Sequence, residues 1–243
     1  MKNIVIIITL LISNYSYASS NENSSNYNET VIGEIVRNYI LNNPEIIREA
    51  IILLQEKDET SLIKEQKAQI ESLKKELSYP ENPTIIGNPD GKLILTEFFD
   101  YNCGYCKIMF SRINNIINKN KKLKVVLIEL PILGDSSTFA SKAALASLKQ
   151  NKYSDFHQDL ISFKGVLDAD IIFSIAKNNE INIDQLKKDM NDPGIEKIIE
   201  KNKLIAKKLQ ITGTPALVVD NQLFPGAIEE EELNNLLINI SKN

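Results

Sequence analysis

Apolar residues before position 80 recur with the helical period. Helices are predicted at Val31–Leu41, at Asn43–Leu54 and at Ser61–Leu77. The second begins with a capping asparagine, a proline at the first helical position and a glutamate in the first turn, which is a typical helix start. The third has the 3-4-3-4 spacing of a coiled-coil seam, which is equally the spacing of a helix that packs on its own domain. We predict a helical arm over residues 30–79 and regard it as a candidate oligomerisation element.

A different pattern follows the proline-containing segment Ser78–Pro83, which is predicted to be a hinge. Lys92–Phe99 and Lys124–Leu130 are almost continuously apolar, as central strands buried on both faces are. The helical pattern Cys103–Asn118 lies between them. A strand, a helix and a second strand of this kind form a parallel pair with a right-handed crossover.

The rest of the chain completes an α/β domain. A helical insert is predicted over about 136–210, and strands return at Pro215–Val219 and Gln222–Phe224 before a last helix at Glu229–Ile240. The resulting order is β-α-β, helical insert, β-β-α. We therefore assign residues 80–243 to one domain.

The first residues are expected to direct export. Lys2 precedes the apolar run Ile4–Ile12, and Ser16-Tyr17-Ala18 places small residues at a cleavage site. We predict a signal peptide over 1–18, cut after Ala18, and a polar, flexible lead over 19–29. Because exported compartments are oxidising, a close cysteine pair there is able to cycle or to persist as a disulfide.

Composition excludes several classes of function. The 243 residues carry 28 basic against 32 acidic side chains, so no basic excess exists to bind a nucleic acid. One histidine and two cysteines are too few for most zinc sites. The histidine, His157, is expected on a helix surface or in side-chain packing rather than in catalysis.

The chemistry is predicted at Cys103-Gly104-Tyr105-Cys106. Unpaired N–H groups and the positive end of the helix dipole favour the thiolate of Cys103, which would attack, while Cys106 would resolve the mixed disulfide. A purely structural disulfide is a weaker alternative, because so small a loop contributes only about 2 kcal/mol. A two-coordinate Cu(I) site on the same sulfurs is the other alternative.

Three further residues are candidates for the site. Glu97 lies in an apolar strand, where burial would raise its pKa and make it a proton donor or acceptor; a solvent-facing position is the alternative. Thr214 and Pro215 stand where a strand should begin. A cis bond there would place bare backbone beside the cysteines for pairing with an extended peptide, whereas an ordinary trans proline would not. Tyr105 is expected to pack over the disulfide or to contact substrate.

Together, Glu97-Phe98-Phe99, the CGYC motif, the helical insert and Gly213-Thr214-Pro215-Ala216 resemble the DsbA-like thiol:disulfide oxidoreductases of the thioredoxin superfamily. The resemblance covers about Thr84–Asn243. It implies a thioredoxin fold with an inserted helical domain, activity in the bacterial periplasm, and no organic cofactor or metal. It also implies that Cys103 attacks, that Cys106 resolves and pairs with it in a disulfide, that Glu97 is the buried acid and that Pro215 is cis. The arm is similar to that of the ScsC-like branch, some of whose members form trimers.

Gly-Tyr between the cysteines departs from the Pro-His of the strongest oxidants in this family and is similar to an isomerase. We expect an oxidoreductase required for disulfide formation in exported proteins, with a disulfide isomerase or reductase acting as an oligomer as the alternative. Expected partners are exported proteins with cysteines and a membrane redox partner. A Cu(I)-binding protein, or an interaction protein on a passive scaffold, are the alternatives of other classes.

Overall fold

The computed structural model describes residues 29–80 and 84–241. The predicted signal peptide over 1–18, its cleavage site and residues 19–28 of the predicted lead lie outside the described residues, as do residues 81–83 of the predicted hinge. Glu29, assigned to the lead from sequence, is the first residue of a helix.

The chain divides into two compact units, with the boundary between Glu56 and Lys57. The described part of the first unit contains α1 (Glu29–Asn42) and the beginning of α2 (Glu45–Ser72). None of the residues of α1 is buried. Most of the large apolar side chains in residues 29–56 are 44–65% exposed; they are Val31, Ile32, Ile35, Val36, Tyr39, Leu41, Ile47, Ile51, Ile52, Leu53 and Leu54.

The predicted gap between the second and third helices is wrong, because α2 is continuous from Glu45 to Ser72. The intervening segment is rich in Glu, Gln and Lys and contains neither glycine nor proline. These are helix-forming residues, so nothing in the segment ends the helix.

The second unit contains a five-stranded sheet in the order β1-β3-β2-β4-β5. Its strands are β1 (Ile85–Gly87), β2 (Leu93–Phe99), β3 (Leu123–Glu129), β4 (Ala216–Val219) and β5 (Gln222–Pro225). The central pair, β2 and β3, is parallel and is connected by α4 (Gly104–Lys119) as predicted, whereas the other pairs are antiparallel.

Between β3 and β4 the chain forms the helical insert. Its helices are α5 (Asp135–Ser147), α6 (Tyr153–Ser162), α7 (Ala169–Asn178), α8 (Ile183–Asp189) and α9 (Pro193–Lys208), and α10 (Glu230–Ile240) follows the sheet. The helices of the insert occupy residues 135–208, against a predicted insert of about 136–210, and α10 begins one residue after the predicted start. A search of the described ranges finds no helix with the length and apolar character needed to cross a bilayer.

Two apolar clusters cover the sheet. The larger one includes α4, α10 and much of the insert. In the other, Ile70 and Leu73, with Leu77 of α3 (Lys74–Ser78), pack with Phe98 of β2 and other sheet residues. The Thr96 hydroxyl also donates a hydrogen bond of 2.7 Å to the Leu77 carbonyl. The end of the segment predicted as arm (30–79) therefore belongs to the packed unit, because a sheet that is apolar on both faces must be covered on both.

Candidate active site

The loop that connects β2 to α4 places Cys103 at the N-cap of α4. The Cys103 N–H donates to the Asp100 carbonyl at 3.1 Å. The buried carboxylate of Asp100 accepts hydrogen bonds from the Asn102 N–H (2.8 Å) and the Ser137 hydroxyl (2.7 Å). It also accepts two from backbone N–H groups of the β3–α5 loop, at Ile132 and Leu133. A single carboxylate thus fixes the cysteine turn to the neighbouring loop.

The sulfur of Cys103 has the properties of a nucleophile. The pKa of its thiol is lowered from 9.0 to about 6, chiefly by a hydrogen bond with the Cys106 side chain. The Thr214 side chain and the backbone N–H groups of Cys106 and Tyr105 lower this pKa further, although burial opposes them. Cys103 is 8% exposed, so a part of it is open to solvent. At neutral pH the thiolate therefore predominates.

Cys106 lies one helical turn away, and both its burial and its pKa differ from those of Cys103. It is fully buried. Burial raises the pKa of its thiol well above the usual range, and the hydrogen bond with Cys103 and the charge of Glu97 raise it further. Both cysteines are free thiols, so the structure describes the dithiol form. The disulfide between them stays a prediction.

Glu97 lies in the middle of β2, next to Leu127 of β3 and Leu217 of β4. It is 2% exposed, so the solvent-facing alternative is wrong. Burial, and after it the charge of Cys103, raises the pKa of the carboxyl to about 8. Its Oε1 atom has no hydrogen-bond partner among the described residues. The group is therefore able to carry a proton near neutral pH; its catalytic role stays a proposal.

The Thr214–Pro215 peptide bond is cis, which resolves the choice that the sequence left open. The Cys103 sulfur lies 3.2 Å from the Thr214 carbonyl oxygen. The Thr214 hydroxyl is buried, and apart from its effect on Cys103 it has no partner within the described ranges. On the other side, Pro215 accepts a hydrogen bond from the Gly226 N–H at 2.9 Å.

Exposed apolar side chains occur in segments next to the cysteines. Tyr105, predicted to contact substrate, is 67% exposed on the first turn of α4. Ile132 and Leu133 lie in the loop that Asp100 holds, and both are exposed. The residues described contain no group of three or more His, Cys, Asp or Glu side chains that could hold a metal ion.

Sequence reasoning placed His157 partly wrongly and missed Glu129. His157 is 1% exposed and packs against the rings of Phe99, Phe110 and Tyr153, so the surface alternative is wrong and the packing one is right. Burial lowers its pKa to about 3. Glu129 is fully buried at the end of β3. Glu97 was identified as a candidate because it is an acid within an apolar strand. Glu129 has the same signal in the sequence.

Comparison with known proteins agrees with this geometry. A family model described as a DSBA-like thioredoxin domain matches residues 94–237. A second model, described as the N-terminal domain of the copper resistance protein ScsC, matches residues 29–60. The chain is 24% identical over 151 residues to a probable disulfide bond formation protein D of Bacillus cereus, which corresponds to 57% of this chain and 70% of that protein.

Solved structures extend the match over most of the chain. The thiol-disulfide exchange protein alpha-DsbA2 from Wolbachia pipientis is 33% identical, with a TM-score of 0.67 over 72% of this chain and 95% of that one. Proteus mirabilis ScsC in a transitional conformation is 30% identical, with a TM-score of 0.67 over 88% of this chain and 98% of that one. The thioredoxin-like fold with an N-terminal helical segment is thereby confirmed. Since the DsbA-like model spans more than half of the sequence, the protein belongs to the DsbA-like thioredoxin-domain family and is a thiol:disulfide oxidoreductase.

Proposed function

We propose that the protein forms or corrects disulfide bonds in exported proteins of the periplasm, with Cys103 and Cys106 as its redox pair. The observation that carries this proposal is the contrast between the two thiols. Cys103 has a lowered pKa and is 8% exposed, whereas Cys106 has a raised pKa and is fully buried. Such a pair gives one attacking sulfur and one that reacts only within the protein.

In the oxidation of a substrate, a substrate thiolate attacks Cys103 of the Cys103–Cys106 disulfide. Cys106 leaves as a thiolate and takes a proton, for which Glu97 is the donor. A second substrate thiolate then attacks the substrate sulfur of the mixed disulfide and releases Cys103 as a thiolate. The substrate loses two electrons and the protein gains them, so a redox partner must reoxidise the protein.

In isomerisation, the Cys103 thiolate attacks a wrong disulfide of the substrate. The substrate thiolate released in this step attacks another substrate disulfide, and Cys103 is set free when the correct bond closes. No net electrons are transferred. The Gly-Tyr pair supplies no histidine to stabilise the Cys103 thiolate, and this difference from the strongest oxidants supports the isomerase alternative.

Substrate binding is assigned to the surface beside Cys103. The Thr214 backbone next to the sulfur offers an edge for an extended peptide chain. Exposed Tyr105 offers an apolar contact on the helix side. An unfolded segment that contains a cysteine satisfies both, because it presents a free backbone and apolar side chains together.

The arm is proposed to form the contact between copies of the protein, as a trimer. Two features support this: the apolar side chains of α1 and of the first half of α2 are exposed, and residues 29–60 match the ScsC N-terminal model. A concentration of exposed large apolar side chains in one short segment is typical of an interaction site. Several active sites in one assembly would suit the shuffling of disulfides.

The first experiment follows refolding of a scrambled, disulfide-containing substrate. Cys103→Ala is expected to abolish activity, and Cys106→Ala is expected to accumulate a mixed disulfide with the substrate. Full activity of Cys103→Ala would disprove the proposal. The reduction potential and the mass of the native assembly then distinguish an oxidase from an isomerase. A potential of about −120 mV with a monomer indicates an oxidase, and a lower potential with a trimer indicates an isomerase.

A copper function is the second candidate, favoured by the description of the ScsC model and by two soft sulfur ligands within one helical turn. This function predicts that the protein binds Cu(I) stoichiometrically, that both cysteines are needed for binding, and that the pair does not cycle between dithiol and disulfide. Turnover that depends on Cys103 rules it out as the principal activity.

A further inference from the structure

Three segments meet at the edge of the sheet where Cys103 lies. Because β2 and β3 are parallel, the cysteine turn (residues 100–103) and the β3–α5 loop (residues 130–134) leave the sheet at the same edge. Strand β4 is antiparallel to β2 and begins at this edge, directly after Pro215. Since β2 lies between β3 and β4, Cys103 has the β3–α5 loop on one side and the Thr214 backbone on the other.

The β3–α5 loop turns its backbone inward and its apolar side chains outward. The N–H groups of Ile132 and Leu133 donate to Oδ2 of Asp100 at 2.9 and 3.0 Å. Neither N–H group has another acceptor within the described ranges. The two side chains are nevertheless 44% and 53% exposed. The loop therefore presents two neighbouring apolar side chains to solvent while its backbone is held in place, as binding loops on a rigid scaffold are.

Asp100 joins this loop to the cysteine turn. It is fully buried, and each of its carboxylate oxygens accepts two hydrogen bonds. Oδ2 accepts the two from the loop, and Oδ1 accepts those of the Asn102 N–H at 2.8 Å and the Ser137 hydroxyl at 2.7 Å. An amide has one accepting oxygen and carries donors in place of the other. Aspartate therefore satisfies all four donors at this position, and asparagine does not.

The cysteine turn has further hydrogen bonds that do not use this carboxylate. The Cys103 N–H donates to the main-chain carbonyl of Asp100 at 3.1 Å. The side-chain amide of Asn102 donates to two serine hydroxyls in the first turn of α5, and the Tyr101 hydroxyl donates to Glu129 at 3.0 Å. Replacing the carboxylate should therefore release the loop more than it displaces the sulfur.

We propose that Asp100 is a positioning residue for substrate recognition, which holds the β3–α5 loop so that Ile132 and Leu133 contact an apolar side chain beside the cysteine of the substrate. This inference rests on the proposed function, because it concerns the substrate that reacts with Cys103. Asp100 is closed to solvent and acts through the loop. The favoured substrates are unfolded segments in which large apolar residues flank the cysteine.

A loop that is held before substrate arrives favours binding for a physical reason. A loop that is ordered only on binding loses its conformational freedom at that moment, and affinity falls accordingly. The hydrogen bonds to Asp100 fix the loop in the protein without substrate. Burial of Ile132 and Leu133 against an apolar neighbour of the cysteine then stabilises the complex, whereas a polar neighbour gains little from the same contact.

The test compares two peptides that differ only next to their cysteine, which leucines flank in one and serines in the other. In both, the cysteine is activated as a mixed disulfide with thionitrobenzoate. The Cys103 thiolate attacks the peptide sulfur, a new disulfide forms and thionitrobenzoate leaves as a coloured anion; Cys106 then displaces the reduced peptide. The ratio of the two rate constants is the leucine preference. A change in the reactivity of the Cys103 thiol affects both rates equally and cancels in this ratio.

We expect the full-length dithiol protein to react roughly four- to fifteenfold faster with the leucine peptide, the factor that burial of one or two methylene groups gives. Asp100→Asn should remove most of this preference, and so should Leu133→Ser. Alkylation of Cys103 by iodoacetamide, which needs no contact with the loop, should stay close to the wild-type rate in both variants. Amide hydrogen exchange at Ile132 and Leu133, followed by NMR, should become faster in Asp100→Asn.

Three controls separate the loop from the rest of the protein. Asp168→Asn makes the same change at an exposed helix cap, whose carboxylate accepts the Ile171 N–H at 2.8 Å, and should keep the preference. Asp100→Asn combined with Leu133→Ser should lower it no further than either change alone, because both act through one contact. In a Val166→Ser background, at a side chain 73% exposed on another loop, the effect of Asp100→Asn should be unchanged.

Two results would overturn the inference. The first is a leucine preference that Leu133→Ser leaves intact, which is decisive even if Asp100→Asn does not fold, because Leu133 is exposed. The second is a folded Asp100→Asn protein that keeps the preference while iodoacetamide and both peptides react more slowly by one factor. Asp100 would then act on the sulfur and not on recognition.

The same measurements keep the two proposals apart. A wild type that reacts through Cys103 with both peptides at equal rates contradicts the role of Asp100 and the loop alone. A wild type whose Cys103 exchanges with neither peptide contradicts the proposed function itself.

Discussion

At the scale of residues, the site depends on opposite environments within one helical turn. Cys103 and Cys106 have the same side chain, and their pKa values move in opposite directions. The start of α4 supplies N–H groups to the first sulfur, and the helix carries the second into the core. The spacing of the motif in the sequence predicted these two environments, because the position of a helix start determines both; the attacking and resolving roles stay predictions.

The thiolate of Cys103 should titrate with a midpoint of about 6, so its alkylation rate rises with pH through that value and then levels off. The Thr214 side chain contributes to the lowered pKa, and Thr214→Val should therefore raise the midpoint and slow alkylation at pH 6 several-fold. Thiolate absorbance and iodoacetamide kinetics measure both quantities. Thr138→Val, at a half-buried threonine that bonds the Gly134 carbonyl, is the matched control, and equal rates in the two variants would exclude a role of the Thr214 hydroxyl.

Glu97 should make the dithiol protein less stable as the pH rises. The pKa of its carboxyl is raised to about 8 in the folded protein, whereas it is 4.5 in the unfolded chain. Between pH 4.5 and about pH 8 the folded protein therefore keeps a proton that the unfolded chain has lost. The free energy of unfolding should then fall through this window. Glu97→Gln should reduce the slope by up to about 1.4 kcal/mol per pH unit. Urea unfolding at several pH values measures it, with exposed Glu200→Gln as the control; parallel curves for wild type and Glu97→Gln would contradict the burial of an ionisable proton.

His157 has the opposite dependence. Its folded pKa is lowered from 6.5 to about 3, so the unfolded chain binds a proton between these values that the folded protein does not. The stability due to this neutral histidine is present above pH 6.5 and is lost as the pH falls toward 3. His157→Phe should flatten the acid limb of the stability curve, and an acid limb as steep as that of the wild type would show that other groups cause it.

At the scale of elements, the positions of the strands could be predicted from the sequence, whereas most contacts between elements could not. Runs such as Lys92–Phe99 are apolar because both of their faces are buried, so their place in the centre of the sheet could be predicted. What covers each face could not, since the same spacing of Ile70, Leu73 and Leu77 suits a coiled coil and a packed helix. The partners of Glu129 come from loops and helices far along the chain, and no local pattern encodes them.

Leu77 tests the covering of the second face. It is 2% exposed in the cluster with Phe98 and Val218, so Leu77→Ala should lower the free energy of unfolding by about 2–4 kcal/mol. Leu62→Ala, at a position that is 55% exposed, should change it by less than about 0.5 kcal/mol. Equal small effects in chemical denaturation would mean that this segment belongs to the arm, as the sequence first suggested.

At the scale of the whole molecule, the two units have different kinds of surface. The second unit covers both faces of its sheet with its own helices, including the end of the predicted arm. The described part of the first unit exposes its apolar residues instead. Burial of such residues stabilises a protein. Since residues 29–56 leave most of them exposed, the proposal assigns their burial to contacts between copies.

Charges placed on the arm should therefore change the size of the assembly without changing the redox site. Ile35→Glu and Leu53→Glu, at side chains that are 63% and 65% exposed, should shift the mass measured by light scattering from an oligomer toward the monomer. Leu204→Glu, 61% exposed on α9, should leave the mass unchanged. Because Cys103 lies in the other unit, its alkylation rate should stay the same in all three variants. If several active sites act together, the two arm variants should refold scrambled substrate more slowly than the wild type. A wild type that is monomeric at micromolar concentration would remove the basis for this prediction and for isomerisation by an oligomer, and would leave disulfide donation by a single site.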